Sequence, residues 1–307
     1  MKERWTVRGL IVSLNTPFDP SGRLDLKALE RLVLFHLDEG AAGFLVPAQA
    51  AEVFELSFAE RLALVETVRQ TSRGHGIVIA GATSPDPKEG LAMAEHAVRL
   101  GCDGLLSEAP PGVPWEAAAL LEYFRRLADV GPPLLIIQDL DWRGPGLPVA
   151  VIAELFERIP SFRGLKVEVV PAGPKYTAVA QATAGRMHLS GGWAALQMIE
   201  ALDRGVDVFM NTALTRFYRA VFDAYDAGDR QSAIERFHRL LPVLAFTRQH
   251  LDVSIVFHKR LFHHLGIFSS AFVRKRGVAW DKYFERQTVE LLAYVDRLYQ
   301  QEGIAPY

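Results

Sequence analysis

The sequence predicts a (β/α)8 barrel, the α/β fold also called a TIM barrel, followed by a C-terminal helical appendage. Short apolar runs alternate with longer amphipathic runs eight times, and Gly, Pro or Asp bound the short runs, as is typical of strands buried on both faces. Eight consecutive β-then-α units supply the number of strands that closes a parallel barrel. After residue 228 the strand pattern stops. We therefore place the barrel at residues 1–227 and the appendage, packed on the barrel, at residues 228–307.

The individual elements follow in chain order. Candidate strands cover residues 10–14, 43–46, 76–80, 104–106, 134–138, 164–166, 187–190 and 206–210. Candidate helices cover residues 26–39, 57–72, 87–100, 115–128, 148–159, 175–184, 193–204 and 215–227, and then 229–250, 253–265 and 281–301 in the appendage. Ser57 and Glu60 have the spacing of a capping box, and Pro87 follows Asp86 as a first-turn proline should. A rival open sheet requires a Gly-rich phosphate loop after an early strand, and residues 14–18 contain no glycine.

Composition restricts the partners and the compartment. The chain has 307 residues, a formal net charge of -2 and one cysteine, Cys102. The near-neutral charge gives no electrostatic reason to expect nucleic acid or an anionic membrane as a partner. A single cysteine excludes an intramolecular disulfide and fits a reducing compartment. Residues 1–10 are charged rather than apolar, and no apolar run approaches the ~20 residues that span a bilayer, so we expect a cytoplasmic protein.

Lys166 is the residue that carries most of the functional prediction. In barrels of this kind the site lies at the C-terminal ends of the strands, and strand six ends on this lysine between the apolar Leu165 and Val167. Burial disfavours an ammonium ion, so the free amine becomes available as a nucleophile that can condense with the carbonyl of a 2-oxo acid. The alternative is a lysine that extends out of the barrel mouth to reach a carboxylate.

Three motifs lead to a family. They are Thr16-Pro-Phe18 after strand one, Gly164-Leu-Lys166 on strand six and Leu189-Ser-Gly191 on strand seven. On these motifs the chain resembles, over roughly residues 8–300, the dihydrodipicolinate synthase and N-acetylneuraminate lyase superfamily of class I aldolases and dehydratases. The resemblance implies that Lys166 forms the Schiff base, that neither a cofactor nor a metal is needed, and that the protein is a homo-oligomer, a dimer or tetramer. The spacing of the histidines gives no metal-binding motif either.

Two parts of the family pattern are replaced. The family loop Gly-Thr-Thr-Gly-Glu, which binds the substrate carboxylate, is represented here by residues 48–52, where both hydroxyls are lost and only Glu52 is retained. Gln49 and the N–H groups of Ala50 and Ala51 remain as donors for that carboxylate. The family's strand-five tyrosine falls at Gln138, whose amide can orient a substrate but cannot transfer a proton near neutral pH. The second tyrosine of the relay falls near Pro110-Pro111 and is absent.

Other residues complete the predicted site. Glu168 lies two residues after Lys166, so strand alternation directs both side chains to the same face, and Glu168 is the preferred proton carrier. Asp139 follows Gln138, and Arg143 stands where some family members keep an arginine for a distal carboxylate. An exposed loop acid and a surface arginine are the alternatives for those two residues. The remaining candidates, from the ends of strands seven and eight, are Ser190, Gly191 and Asn211.

The combined prediction is a metal-independent lyase that forms an imine between Lys166 and a small-molecule 2-oxo acid. The reaction is either aldol cleavage that releases pyruvate or dehydration of a 2-oxo-3-deoxy sugar acid. The alternative from another class is a non-catalytic family member that binds a small acid as a sensor or assembly subunit. Loss of the tyrosine favours that alternative, whereas retention of a buried lysine argues against it.

Overall fold

The computed structural model describes residues 7–275 and 277–303, and a closed barrel of eight parallel strands forms its centre. Residues 1–6 of the charged start lie outside that description, so the prediction on a signal peptide falls partly beyond it. The strands are β1 Gly9–Ser13, β2 Gly43–Val46, β3 Ile77–Gly81, β4 Gly104–Ser107, β5 Leu135–Asp141, β6 Phe162–Val169, β7 His188–Gly191 and β8 Val208–Phe209. Each strand pairs with the next, and β8 pairs with β1 to close the barrel. The predicted fold class is confirmed.

Helices connect successive strands and surround the barrel. They are α1 Leu26–Asp38, α2 Phe58–Thr71, α3 Pro87–Arg99, α4 Ala117–Asp129, α5 Val149–Arg158, α6 Ala172–Ala182, α7 Met198–Asp203 and α8 Thr215–Asp226. The capping box of Ser57 and Glu60 opens α2. The helix predicted at 193–204 begins instead with a short 3-10 turn at Trp193–Ala195. The reason is that Trp193 and Ala195 have φ angles of 52° and 56°, which an α-helix does not accept.

The appendage consists of four helices, α9 Arg230–His238, α10 Leu241–Thr247, α11 Leu251–His264 and α12 Lys282–Gln301. The single helix predicted at 229–250 is divided into two, because Pro242 has no N–H for the helical ladder and its ring clashes with the carbonyl four residues earlier. The appendage packs on the barrel helices within one hydrophobic cluster. For example, the Phe262 ring contacts the Phe35 ring, and the Tyr299 ring contacts the Phe217 ring.

Alternation along each strand separates two faces of the barrel. Ile11, Leu45, Ile136 and Val208 belong to a cluster inside the barrel, whereas their immediate chain neighbours pack outward against the helices. On β5 and β6, Ile137, Leu165 and Val167 belong to the outer cluster. Gln138, Lys166 and Glu168 therefore point into the barrel. Among the described residues, none of the helices combines the length and apolar character needed to cross a membrane.

Candidate active site

A cavity opens at the C-terminal end of the barrel. Its walls come from both the strand ends and the appendage, and they are formed by Ser13, Gln49, Ala50, Trp142, Lys166, Glu168, Trp193, Met210, Thr212, Arg248, Leu251 and Ser254. Four residues predicted for the site, Lys166, Glu168, Gln49 and Ala50, lie on these walls.

Lys166 and Glu168 form a buried pair at the base of the cavity. Lys166 Nζ lies 3.2 Å from Glu168 Oε1, and the two side chains are 4% and 7% exposed. In the strand register Lys166 stands between Gln138 on β5 and Ser190 on β7. A lysine amine and a carboxylate are thus held in contact in a place that little water reaches.

The Glu168 carboxylate contacts three donor groups. Besides its contact with Lys166, it accepts a hydrogen bond of 2.6 Å from Gln138 Nε2 and one of 2.7 Å from the Trp193 backbone N–H. The carbonyl oxygen of the Gln138 side chain is buried and has no partner among the described residues. Gln138 therefore orients Glu168 through its amide nitrogen and presents an unused acceptor. This arrangement places all three residues predicted to be catalytic, Lys166, Glu168 and Gln138, in one cluster.

Gly192 allows Glu168 to occupy this position. A Cβ atom built on Gly192 would lie 2.2 Å from both Cγ and Oε1 of Glu168, which is well inside contact distance. Any residue larger than glycine at this position displaces the carboxylate from Lys166.

We predict that Gly192→Ala lowers turnover by about 10²-fold, because a displacement of about 1 Å in a catalytic group has that effect. Gly191→Ala is the matched control, since its Cβ would meet the Phe209 ring on the outer side of the barrel. This control is expected to lower the melting temperature more than the turnover number per folded molecule. Equal activity losses in the two variants, measured at matched folded fractions, would contradict the role assigned to Gly192.

The loop after β2 is held by side chains from the loop after β1. Asn15 Nδ2 donates to the Ala50 carbonyl over 2.6 Å, and Thr16 Oγ1 donates to the Ala51 carbonyl over 2.7 Å. Ala50 faces the cavity, whereas Ala51 is fully buried beneath it. Gln49 Nε2 donates a hydrogen bond to Glu108 Oε1 over 2.7 Å. Of the predicted carboxylate-binding loop, Gln49 and Ala50 are positioned to contact a ligand in this cavity.

Glu52 lies off the cavity wall and joins the loop to the appendage. Its carboxylate accepts hydrogen bonds from the buried Lys259 ammonium and from the Arg274 backbone N–H. Lys259 also lies 4.2 Å from the centre of the Phe18 ring. Burial lowers the pKa of Lys259 to about 8, although the neighbouring Glu52 opposes that shift. Glu52 therefore anchors the loop after β2 to the appendage and does not line the cavity.

Four further predicted residues lie away from the cavity walls. Asp139 points outward on β5, where it contacts Lys175 Nζ at 3.1 Å and accepts from the Leu147 N–H. Burial raises the pKa of the Asp139 carboxyl. Asn211 points away from the cavity and donates to Thr215. The others are Gly191, whose missing side chain would face the Phe209 ring, and Arg143, which is exposed on the β5 loop.

Ser190 points inward beside Lys166 and is fully buried, but it does not reach the cavity wall. Its hydroxyl oxygen lies 3.4 Å from the Leu165 carbonyl, to which it donates. The part of the chain that the structure describes contains no group of three His, Cys, Asp or Glu residues that could hold a metal ion.

Glu108 is a carboxyl group near the site that the sequence analysis did not select. It directly follows β4, and strand alternation from the inward Leu106 directs it inward as well. Burial raises the pKa of Glu108 to about 6; Gln49 and Lys166 oppose that rise, and the Glu168 charge adds to it. Strand parity applied to the residue after β4 would have identified it.

The raised pKa of Glu108 predicts a specific dependence of stability on pH. Because the folded state holds this proton more tightly than the unfolded state, the contribution is complete below pH ~4.5 and is lost as pH rises through about 6. The loss amounts to at most about 1.4 kcal/mol for each pH unit in that window. We expect Glu108→Gln to remove this decline in a series of urea unfolding curves. If the free energy of unfolding changes equally with pH in the wild type and the variant between pH 4.5 and 6, the assignment is refuted.

Among the cavity residues that the sequence analysis did not select are Trp142, Trp193 and Arg248, which come from loops and from the appendage. Trp142 and Trp193 follow β5 and β7, and their ring centres lie 4.5 Å apart. Arg248 follows α10, and its guanidinium lies 4.6 Å from the centre of the Trp193 ring. The rule that functional residues occupy strand ends does not extend to a residue supplied by a helical appendage.

Comparison with known proteins gives one family. The chain matches the Dihydrodipicolinate synthetase family over residues 6–292. It is 32% identical to a 4-hydroxy-tetrahydrodipicolinate synthase of Acidiphilium cryptum over 238 residues, which cover 76% of this chain and 81% of that protein. It is 29% identical to an uncharacterized DapA-like lyase of Rhizobium meliloti over 159 residues, about half of each chain, at 51% and 53%.

Solved structures agree on the fold. The crystal structure of dihydrodipicolinate synthase from Rhodopseudomonas palustris superposes with a TM-score of 0.84 at 21% identity, covering 95% of this chain and 99% of that one. The enzyme from Aquifex aeolicus superposes with a TM-score of 0.84 at 22% identity, covering 94% and 98%. At these identities the structural likeness shows the fold alone.

Proposed function

The chain belongs to the dihydrodipicolinate synthetase family of Schiff-base lyases, and from this premise we propose that Lys166 forms an imine with a 2-oxo acid while Glu168 carries the proton. The observation that carries the proposal is the contact of 3.2 Å between the buried Lys166 Nζ and Glu168 Oε1. A nucleophilic amine and a group that accepts its protons are the two parts that imine formation requires.

The first half of the reaction builds the imine. The Glu168 carboxylate takes a proton from Lys166, and the free amine attacks the C2 carbonyl. A proton then moves from nitrogen to oxygen and gives a neutral carbinolamine. Glu168 then protonates the C2 hydroxyl, water leaves, and the nitrogen lone pair forms the C=N bond of a cationic imine. Gln138 and the Trp193 N–H hold the Glu168 carboxylate in place during both steps.

The second half uses the imine as an electron sink. In aldol cleavage, Glu168 removes the proton of the C4 hydroxyl, the C3–C4 bond breaks, and its electron pair forms the C2=C3 bond of an enamine. An aldehyde leaves, the enamine is protonated at C3, and hydrolysis of the imine releases pyruvate and regenerates Lys166. Aldol cleavage that releases pyruvate is therefore our proposed activity.

Dehydration of a 2-oxo-3-deoxy sugar acid is the second candidate. In that reaction a base removes a C3 proton, and the C4 hydroxyl must be protonated as it departs. Glu108 favours this candidate, because its pKa of about 6 keeps part of the population protonated near neutral pH. Product analysis separates the two: aldol cleavage yields pyruvate and an aldehyde, whereas dehydration retains every carbon atom in one product.

We do not extend the synthase activity named for the relatives to this chain. The two threonines of the family loop are replaced here by Gln49 and Ala50. Gln138 stands at the position of the relay tyrosine. In their place we propose that Gln49 and the backbone at Ala50 bind the 2-oxo acid carboxylate, since both line the cavity next to Lys166.

Borohydride trapping tests the proposal. Incubation of the folded protein with pyruvate and borohydride is expected to add the mass of one reduced pyruvate imine, located by peptide mapping to the segment that contains Lys166. Lys175 and Lys259 are internal controls, because both are buried but paired with carboxylates outside the cavity. If the folded protein gains no mass, the proposal is wrong and the non-catalytic alternative is favoured. No contact among the described residues of the site favours that alternative.

We further propose that the protein is a cytoplasmic homo-oligomer. Exposed apolar side chains on the loops after β2 and β4 support self-association, since Phe54 is 47% exposed and Trp115 is 43% exposed. Light scattering across a range of protein concentrations would test this, and a mass equal to that of one chain throughout would oppose it.

A further inference from the structure

Arg248 is a cation in the cavity without a carboxylate partner. Its ε nitrogen donates to Thr247 Oγ1 over 3.4 Å, and one η nitrogen donates to Ser254 Oγ over 2.7 Å. Among the described residues, no carboxylate lies within ion-pairing distance of this guanidinium. Two of its five N–H groups thus donate to hydroxyls, and the other three have no hydrogen-bond partner in the described ranges 7–275 and 277–303.

The guanidinium is fixed in place before any ligand arrives. It stacks over the Trp193 ring, and on that ring the Trp142 ring packs at 4.5 Å with a tilt of 39°. Trp193 adopts a φ of 52°, a left-handed conformation that is unfavourable for a residue other than glycine. Strain of this kind persists where the surroundings impose a definite position on the side chain. Burial lowers the pKa of Arg248 to about 10, which leaves the group charged at neutral pH.

Arg248 does not contact the pair at which the imine forms, because among the described residues no hydrogen bond or ion pair joins it to Lys166 or Glu168. Lys166 contacts Glu168, Glu168 contacts the Trp193 backbone, and the Trp193 ring separates that backbone from Arg248. In any 2-oxo acid the C1 carboxylate is bonded to the carbon that the lysine attacks, so it must remain beside Lys166. A group that reaches Arg248 therefore belongs to the far end of the substrate, and Met210 and Leu251 provide apolar wall along the cavity.

We infer that the substrate is a 2-oxo acid with a second carboxylate at its far end, and that Arg248 binds that carboxylate as a specificity-determining residue. An arginine held by stacking presents a planar fork of donors that matches a carboxylate. The inference rests on the proposed function, because it concerns the other end of the molecule that forms the imine with Lys166.

Two probes of equal chain length isolate the second carboxylate. The test compares 2-oxoglutarate with 2-oxopentanoate, which lacks only the terminal charge, and measures the concentration of each that gives half-maximal borohydride trapping at Lys166. The wild type is expected to trap 2-oxoglutarate at a concentration at least about 10-fold lower, as for a charged hydrogen-bonded contact. Arg248→Gln should reduce that preference to near unity, and Arg248→Lys should retain part of it.

Arg260→Gln is the matched control, since Arg260 stacks on Trp280 in the appendage but is paired with Glu285 outside the cavity. It should keep the full preference for 2-oxoglutarate. A wild type without preference, or an Arg248→Gln protein that keeps it, would overturn the inference. An equal loss for both probes would also overturn it, because Arg248 would then hold the shared C1 carboxylate.

A second measurement separates this inference from the imine chemistry. Glutarate has two carboxylates but no keto group, so it can bind but cannot form an imine. Tryptophan fluorescence from Trp142 and Trp193 should change as glutarate binds to the wild type and remain unchanged with Arg248→Gln. Glutarate binding without any pyruvate adduct would refute the proposed function and uphold the anion site, whereas an adduct without glutarate binding would do the reverse.

Discussion

Lys166→Met is expected to eliminate both the borohydride adduct and turnover. Methionine preserves the length and apolar character of the side chain but has no amine, so the 2-oxo acid has nothing with which to form an imine. If all catalysis passes through that imine, the rate falls to the uncatalysed level, a loss on the order of 10⁶-fold or more. Because the true substrate need not be known, the assay is exchange of the pyruvate methyl hydrogens with deuterium from D₂O, followed by NMR. This exchange requires the enamine.

Two controls distinguish the role of Lys166 as a nucleophile from its role as a positive charge. Lys166→Arg keeps a cation beside Glu168, and it should lack the adduct and the exchange as completely as the methionine variant does. Lys175→Met with Asp139→Leu removes a buried ion pair from the outer side of the barrel. That double variant should form the adduct normally if it folds, which a thermal unfolding curve verifies. Residual exchange above background in Lys166→Arg would show that another residue supplies the imine nitrogen or that exchange follows a different route.

The three buried lysines show what sequence could and could not establish about this residue. Lys166, Lys175 and Lys259 are 3%, 7% and 0% exposed, so burial alone does not single out a nucleophile. Lys175 donates to two backbone carbonyls and contacts Asp139, and Lys259 pairs with Glu52, which gives each a structural role. Position at the end of strand six, together with the family motif, was the information that selected Lys166.

Strand parity explains the positions of two residues predicted for the site. Counting two residues from Lys166 correctly placed Glu168 on the same inward face, where it reaches Lys166 Nζ. Asp139 is one residue from the inward Gln138, so alternation directs it outward, and the structure places it there against Lys175. Asp139 was selected as a loop residue, but β5 continues to Asp141, so the alternation still applies at this position.

The parts that sequence could not supply depend on tertiary contacts. Arg248 is 82 residues from Lys166 along the chain, and neither spacing nor periodicity relates an appendage helix to the barrel mouth. The left-handed backbone at Trp193 is likewise invisible in the sequence, because tryptophan gives no signal for positive φ. The barrel, in contrast, follows from local patterns repeated eight times, which is why its strands were located to within a few residues.

Glu168→Gln is expected to separate imine formation from proton transfer. Glutamine is nearly isosteric with glutamate, so it can still accept the Trp193 N–H and contact Lys166, but it cannot exchange a proton near neutral pH. Loss of a positioned acid–base group lowers a rate by about 10²–10⁴-fold. We expect deuterium exchange into pyruvate to fall by that factor, while prolonged incubation with borohydride still produces an adduct at Lys166.

The variant Glu108→Gln completes the comparison, because Glu108 is the other carboxyl group close to the site and burial raises its pKa to about 6. If Glu168 carries the proton at C3, Glu108→Gln keeps most of the exchange rate and Glu168→Gln loses it. The reverse pattern would assign proton transfer to Glu108 and leave Glu168 with the task of pairing Lys166. In that case the pH profile of exchange in Glu168→Gln would still bend near pH 6, because the acid responsible would still be present. Exchange that is lost in Glu168→Gln and kept in Glu108→Gln is the result that identifies Glu168 as the replacement for the missing tyrosine.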